Sequence, residues 1–438
     1  MSEAIDLLIE PRWLIPVEPS GVTLEHHVVA VNRGCIVALT TLEQARRRFE
    51  PREMVQLPTH ALIPGLVNLH THAAMTLLRG YADDLPLMDW LKERIWPAEM
   101  RHVSPAFVRD GTLLACAEML RGGITCCNDM YFFPEAAAQA YVRAGMRASV
   151  GIIAVDFPTV YASDADDYLN KGLATRDALL GESLISFCIA PHAPYTVGDR
   201  TLERIATLAQ QLDLPVHTHV HETRDELEQS RSVHGVRPIE RLRRLGLLGP
   251  NMIAVHAVHL TGDEIQLLAQ NGCSIAHCPT SNMKLASGIA PIAQADLAGI
   301  NVGLGSDGAA SNNRLDLFRE MQHAALLAKV SSGDACVLDA HRVLRMATIN
   351  GAKALGLDGR IGSIAAGKSA DLCAVDLCSA DLSPCFDAAS HLVYAAGREH
   401  VTHVWVHGMA RVTNSELLQI SNTELLDIAG LWQNTLRS

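Results

Sequence analysis

Pro64-Gly65-Leu66-Val67-Asn68-Leu69-His70-Thr71-His72 is the segment on which the fold turns. It continues the apolar residues Ala61-Leu62-Ile63, and the run 61–67 reads as a buried strand. Residues two apart in a strand share a face, so His70 and His72 point the same way. One histidine in such a run is more often a satisfied core residue. Two on one face are costly to desolvate without a shared partner, and a metal ion supplies one. The same design recurs further along. Ile300-Asn301-Val302-Gly303-Leu304 runs into Gly305-Ser306-Asp307-Gly308, and another apolar run ends in His219-Val220-His221-Glu222. Three imidazoles and a carboxylate on the ends of separate strands describe a catalytic metal site and a hydrolase that activates water.

Working outward, eight strand candidates lie between about residues 63 and 365: Leu66–His70, Ile124–Asp129, Ala148–Val155, Ile185–Pro191, Pro215–His221, Met252–His256, Cys273–Cys278 and Asn301–Ser306. Amphipathic helical patterns separate them. The alternation predicts an α/β fold, a (β/α)8 TIM-like barrel, whose chemistry sits at the C-terminal strand ends. A doubly wound open sheet is the alternative, but it gathers its site at one crevice and not around a ring. The flanks read as short β pieces. His27-Val28-Val29-Ala30-Val31 precedes a turn at Asn32-Arg33-Gly34, and Gly367–Asp376 and Val401–Gly408 return to that style. They predict a small β-sandwich domain built from both chain ends. The expected division is 1–62 and 365–438 for that domain, with the barrel over 63–364 and a terminal helix at Thr423–Leu436.

The chain has 438 residues, enough for a sizeable core, and 48% of them are hydrophobic, which argues against disorder. Its net charge of −12 argues against a nucleic-acid binder while leaving room for a nucleoside. No apolar run is long enough to span a bilayer, and the acidic start Met1–Asp6 lacks a signal peptide's basic and apolar segments. A cytoplasmic protein is expected, acting on a small molecule and not at a membrane, with self-association into a homo-oligomer left open. Its 11 cysteines form no CxxC pair and read as buried free thiols.

His217, His219 and His221 fall on one strand face, and periodicity alone does not say which binds metal. Glu222, three residues past His219, can stand just beyond the strand end, which favours His219; blandly, Glu222 only starts the acidic helix of Asp225, Glu226 and Glu228. His217 and His221 then pack or orient neighbours. His256 and His259 are three apart and cannot both face the mouth of a continuing strand, and His256 is the functional choice. His192 ends the fourth strand and reads as a substrate contact. That strand has no lysine of the kind that bridges two metals, so one ion is expected. The nucleobase-deaminase pattern H-x-E with P-C-x-x-C is absent.

Pro64–His72, the His219/Glu222 pair, His256 and Leu304–Gly308 together resemble the amidohydrolase superfamily. His72–Gly80, His277–Leu285 and Asp307–Asn313 resemble its branch of aminohydrolases and chlorohydrolases acting on purines and triazines. Within that branch they are most similar to the deaminases of 5′-methylthioadenosine and S-adenosylhomocysteine. The resemblance implies one Zn2+ per subunit on His70, His72, His219 and Asp307, other divalent metals being compatible with the same ligands. It implies catalytic roles for Glu222 (proton shuttle), His256 (water positioning) and Asp307. It also implies substrate contacts from Glu99 (ribose hydroxyls), His192, Glu222 and Asp307. The reaction implied is hydrolytic deamination of an adenosine-type thionucleoside to the inosine-type product and ammonia. The alternative is another member of the branch, taking guanine, other adenosine derivatives or triazines. Some relatives hold the amino-acid carboxylate of S-adenosylhomocysteine with arginines after the third strand. Here residues 156–180 are acidic and offer only Lys171 and Arg176.

Overall fold

The computed structural model describes residues 2–437. Eight parallel strands follow one another in chain order around a barrel: Leu66–Thr71, Ile124–Asp129, Arg147–Ala154, Ile185–Pro191, Val216–Val220, Met252–His256, Ser274–His277 and Asn301–Leu304. All eight anticipated strands are present, with ends shifted by at most two residues. The first and eighth strands meet where the Asp307 N–H donates to the His70 carbonyl at 3.0 Å. Glycine makes that approach possible. A Cβ at Gly303 would stand 2.7 Å from Leu69, and one at Gly305 would stand 2.8 Å from the His70 Cβ.

Each strand splits its residues between two cores, as the period of two demands. Leu66, Val216 and Val220 join the outer core under the helices, while Val67 and Leu69 pack with Ile253 and Val255, the register partners of His217 and His219, on the inner side. Helices cover the outside. In Asp199–Leu212 the buried positions are Thr201, Leu202, Ile205 and Ala209, a helical repeat.

The chain ends build a nine-stranded mixed sheet, eight strands on one hydrogen-bonded path and the short Leu24–Glu25 paired off it with Glu3–Leu14. Leu372–Asp376 lies antiparallel to Phe49–Pro64, pairing Cys373 with Ile63, which sews the two ends together. The anticipated hairpin is there: His27–Asn32 pairs with Cys35–Thr41 across Arg33 and Gly34, both at positive φ. The terminal helix spans Asn422–Arg437. One reading needs correction. The run 61–67 is not one strand, because Phe49–Pro64 ends in the small sheet and the barrel strand starts at Leu66. Gly65 makes the break, packed so tightly that a Cβ would stand 2.1 Å from Thr125. All 11 cysteines are free, most of them buried. Among the described residues no helix is long and apolar enough to cross a membrane.

Candidate active site

The C-terminal strand ends bring His70, His72, His219 and Asp307 together. His70 Nε2 lies 3.2 Å from His219 Nε2 and 3.2 Å from Asp307 Oδ1, and His72 Nε2 lies 3.4 Å from the same oxygen. The opposite ring nitrogens are occupied. His72 Nδ1 is 2.6 Å from the Met130 carbonyl, and His219 Nδ1 is 2.7 Å from the His192 carbonyl. A carbonyl only accepts, so both Nδ1 atoms carry the proton and both Nε2 atoms present lone pairs. His70 Nδ1 meets His217 Nε2 at 2.9 Å. Imidazole nitrogens and a carboxylate oxygen therefore converge on one point, an arrangement suited to a metal ion. The separations match the edge, about 3.3 Å, of a tetrahedron with metal–nitrogen bonds of about 2.0–2.1 Å.

The protonation states agree with that use. Burial takes His70 down to about 4 and His219 well below its ordinary value, so both are neutral. Burial opposes ionisation of Asp307, but its hydrogen bond to His70 and the neighbouring imidazoles hold it well below the usual carboxylate range. Asp307 Oδ2 accepts hydrogen bonds from Ser281 and Ser311 at 2.6 and 2.7 Å, which leaves Oδ1 turned to the histidines.

Glu222 is buried beside this cluster, and burial, reinforced by the negative charge of Asp307, raises its pKa. Its carboxyl lies 3.8 Å from His256 Nε2, and His256 Nδ1 lies 2.8 Å from Asn282 Oδ1. Glu226 stands behind, one carboxylate oxygen accepting from the His221 N–H at 2.9 Å and the other from the Glu222 N–H at 2.8 Å. His221, His256 and Asp307 all adopt left-handed backbone, with φ of 58°, 67° and 60°. Such residues cost free energy that surrounding contacts must offset, and they turn the chain sharply at three strand ends. The turn at His221 corrects one expectation. His221 does not share a face with His217 and His219; its ring points away and accepts the Ile239 N–H at 3.2 Å.

His72, Glu99, His192, His219, Glu222, His256 and Asp307 line one cavity of about 290 Å³. Glu99 enters from the helix Trp96–His102, where Tyr131 donates to its Oε1 at 2.7 Å and burial raises its pKa to about 7. His192 Nδ1 lies 3.0 Å from Thr196 Oγ1, and burial lowers its pKa to about 3. Sequence reasoning gave no role to Tyr131, Ser281, Asn282, Ser311 or Glu226. Ser281, Asn282 and Ser311 stood inside motifs that had been noticed. Glu226 is three residues after Thr223, a capping-box spacing that could have marked it.

A parallel barrel with a buried histidine–carboxylate cage at its C-terminal mouth defines a metal-dependent hydrolase. The chain belongs to the amidohydrolase family, whose profile matches residues 61–410. It is 47% identical over 432 residues, 99% of this chain and 98% of the other, to a 5-methylthioadenosine/S-adenosylhomocysteine deaminase of Teredinibacter turnerae. The crystal structure of an adenosine deaminase from Xanthomonas campestris with bound zinc superposes with a TM-score of 0.98, at 50% identity and 100% coverage of both chains. An atrazine chlorohydrolase from Arthrobacter aurescens, at 22% identity and a TM-score of 0.90 over 97% of this chain and 99% of that one, shares the fold.

Proposed function

We propose that this protein hydrolytically deaminates adenosine-type thionucleosides, 5′-methylthioadenosine and/or S-adenosylhomocysteine, to the 6-oxo product and ammonia. The observation that carries the reading is the shared cavity. Glu222, His256 and Asp307 line it together with Glu99, so groups suited to a base and to a ribose share one space of about 290 Å³. The names of the similar deaminases support the same chemistry.

His70, His72, His219 and Asp307 would hold one zinc ion, whose Lewis acidity brings the ionisation of water toward neutral pH. Asp307, ionised in its buried setting, accepts the proton of the attacking water at Oδ1. Its other oxygen is held by Ser281 and Ser311, so the accepting one stays aimed. His256, anchored through Asn282, orients that water with Nε2. Glu222 has its pKa raised by burial and can arrive protonated. It donates to purine N1, which makes C6 more electrophilic. Proton return to the exocyclic nitrogen lets ammonia leave. His192 contacts the base, and Glu99 accepts from the ribose hydroxyls with the capacity Tyr131 leaves free. Alignment of these buried groups supplies the remaining acceleration.

Ammonia release from methylthioadenosine, S-adenosylhomocysteine, adenosine, guanine and a chlorotriazine, with metal analysis of the same sample, tests the reading. One zinc per chain and turnover of ribosides are expected. 2′-Deoxy and 3′-deoxy analogues should lose kcat/KM, and Glu99→Ala should erase most of that discrimination while keeping the metal. Turnover of guanine or the triazine in preference to every riboside would overturn it.

A further inference from the structure

The lip of the cavity beside Glu99 is apolar. Met100, Phe157 and Val160 line the cavity yet stay 55%, 40% and 39% exposed. Large apolar side chains left open at a pocket mouth point to an apolar ligand group that covers them. Trp96 lies behind the lip, its ring 6.2 Å from that of Phe157. Trp96 and Met100 flank Glu99 on one helix and line the same cavity, so a ribose held by Glu99 has this apolar wall beside it.

The charge around the cavity has one sign. Glu99, Glu222 and Asp307 line it, and no lysine or arginine does. The first two cations after the Phe157–Val160 segment are engaged elsewhere. Lys171 donates to the Tyr161 carbonyl and to Asp167, both at 2.8 Å, and Arg176 pairs with Asp177 at 2.8 Å. Lys92, Arg94 and Arg101, on the segment that carries Trp96, are exposed and lie outside the lining. A carboxylate at this wall would lose hydration without gaining a cationic partner. A thioether meets aromatic rings and a methionine, contacts that suit its polarisable sulfur.

We propose that Trp96, Met100, Phe157 and Val160 form a 5′ subsite for uncharged alkylthio groups, and that the enzyme discriminates against the zwitterionic amino-acid tail of S-adenosylhomocysteine. The inference rests on the nucleoside-deaminase reading above.

The test compares kcat/KM of the zinc-loaded protein for three substrates: 5′-methylthioadenosine, S-adenosylhomocysteine and 5′-butylthioadenosine. The last has an uncharged tail of the same reach as homocysteine and so separates charge from length. Both uncharged substrates should exceed S-adenosylhomocysteine by about tenfold or more. A smaller ratio for methylthioadenosine overturns the discrimination, and a smaller ratio for the butylthio compound overturns its assignment to charge. Val160→Arg places a cation on the exposed lip without touching the catalytic groups. It should lower the methylthioadenosine to S-adenosylhomocysteine ratio severalfold, and an unchanged ratio overturns the placement of the tail. Turnover of none of the three sinks the deaminase reading itself, whereas equal turnover of all three sinks only the subsite.

Discussion

Replacing Glu226 by glutamine isolates a support that never touches the substrate. The two oxygens of Glu226 take the successive N–H groups of His221 and Glu222, at 2.9 and 2.8 Å, and the residue is only 4% exposed. An amide keeps one oxygen and offers an N–H2 group to the other donor, so one buried N–H loses its partner. That costs about 1–3 kcal/mol. The strain is local, because His221 already holds left-handed backbone and can relax by turning. Relaxation moves Glu222 out of line and lowers the aligned fraction by the same free energy, about 5- to 150-fold in kcat. KM should change little, since the ribose contact and cavity walls are untouched. Zinc content should stay at the wild-type level, because His219 is held through its own bond to the His192 carbonyl. Steady-state ammonia release with metal analysis reads all three quantities. A Glu226→Gln enzyme with wild-type kcat would refute the reasoning, and so would one whose loss of activity tracks loss of metal.

Glu222→Gln preserves shape and removes the titrating group, so zinc should remain while kcat falls by about 10²-fold or more; near-normal turnover rejects the shuttle. His219→Ala should lose metal and activity together, and near-stoichiometric zinc in that variant would remove His219 from the ligand set. Arg147, buried at the start of the third barrel strand, pairs with Asp371 of the small sheet at 3.0 Å. Arg147→Ala strands that carboxylate and should cost about 3–5 kcal/mol in denaturant unfolding; a change below about 1 kcal/mol, the level of an exposed pair, would show the pair to be dispensable. Glu320 is fully buried, and burial raises its pKa from 4.5 to about 7. Between those values the folded chain holds a proton that the unfolded chain has released, so this group's contribution to stability falls as pH rises. Glu320→Gln should flatten that part of the Tm–pH curve, and an unchanged slope would reject the assignment.

What the chain announces by itself is whatever repeats at short range. The eight apolar runs, the i, i+2 spacing of His70 and His72, and the Glu222 that follows His219 all lie within a few residues. Strand and helix periods act over such distances, so the barrel and the clusters that converge could be read directly, though periodicity did not choose among His217, His219 and His221. The small sheet announced itself only in part, at His27–Val31, Gly367–Asp376 and Val401–Gly408, and not in its longest strands, Glu3–Leu14 and Phe49–Pro64. What tertiary structure alone decided is everything set by the approach of distant segments. Gly65, pressed against Thr125, divides a single apolar run between two sheets. A left-handed φ of 58° takes His221 off the face that alternation assigned to it. The carbonyls of Met130 and His192 fix the tautomers of His72 and His219, and Ser281 and Ser311 turn Asp307. No local pattern encodes these contacts, because a backbone carbonyl is the same in every residue and a serine's partner depends on how the barrel closes. The one-signed charge and apolar lip of the cavity are likewise properties of the assembled wall, brought together from segments more than fifty residues apart, roughly the span that separates helix Trp96–His102 from Phe157.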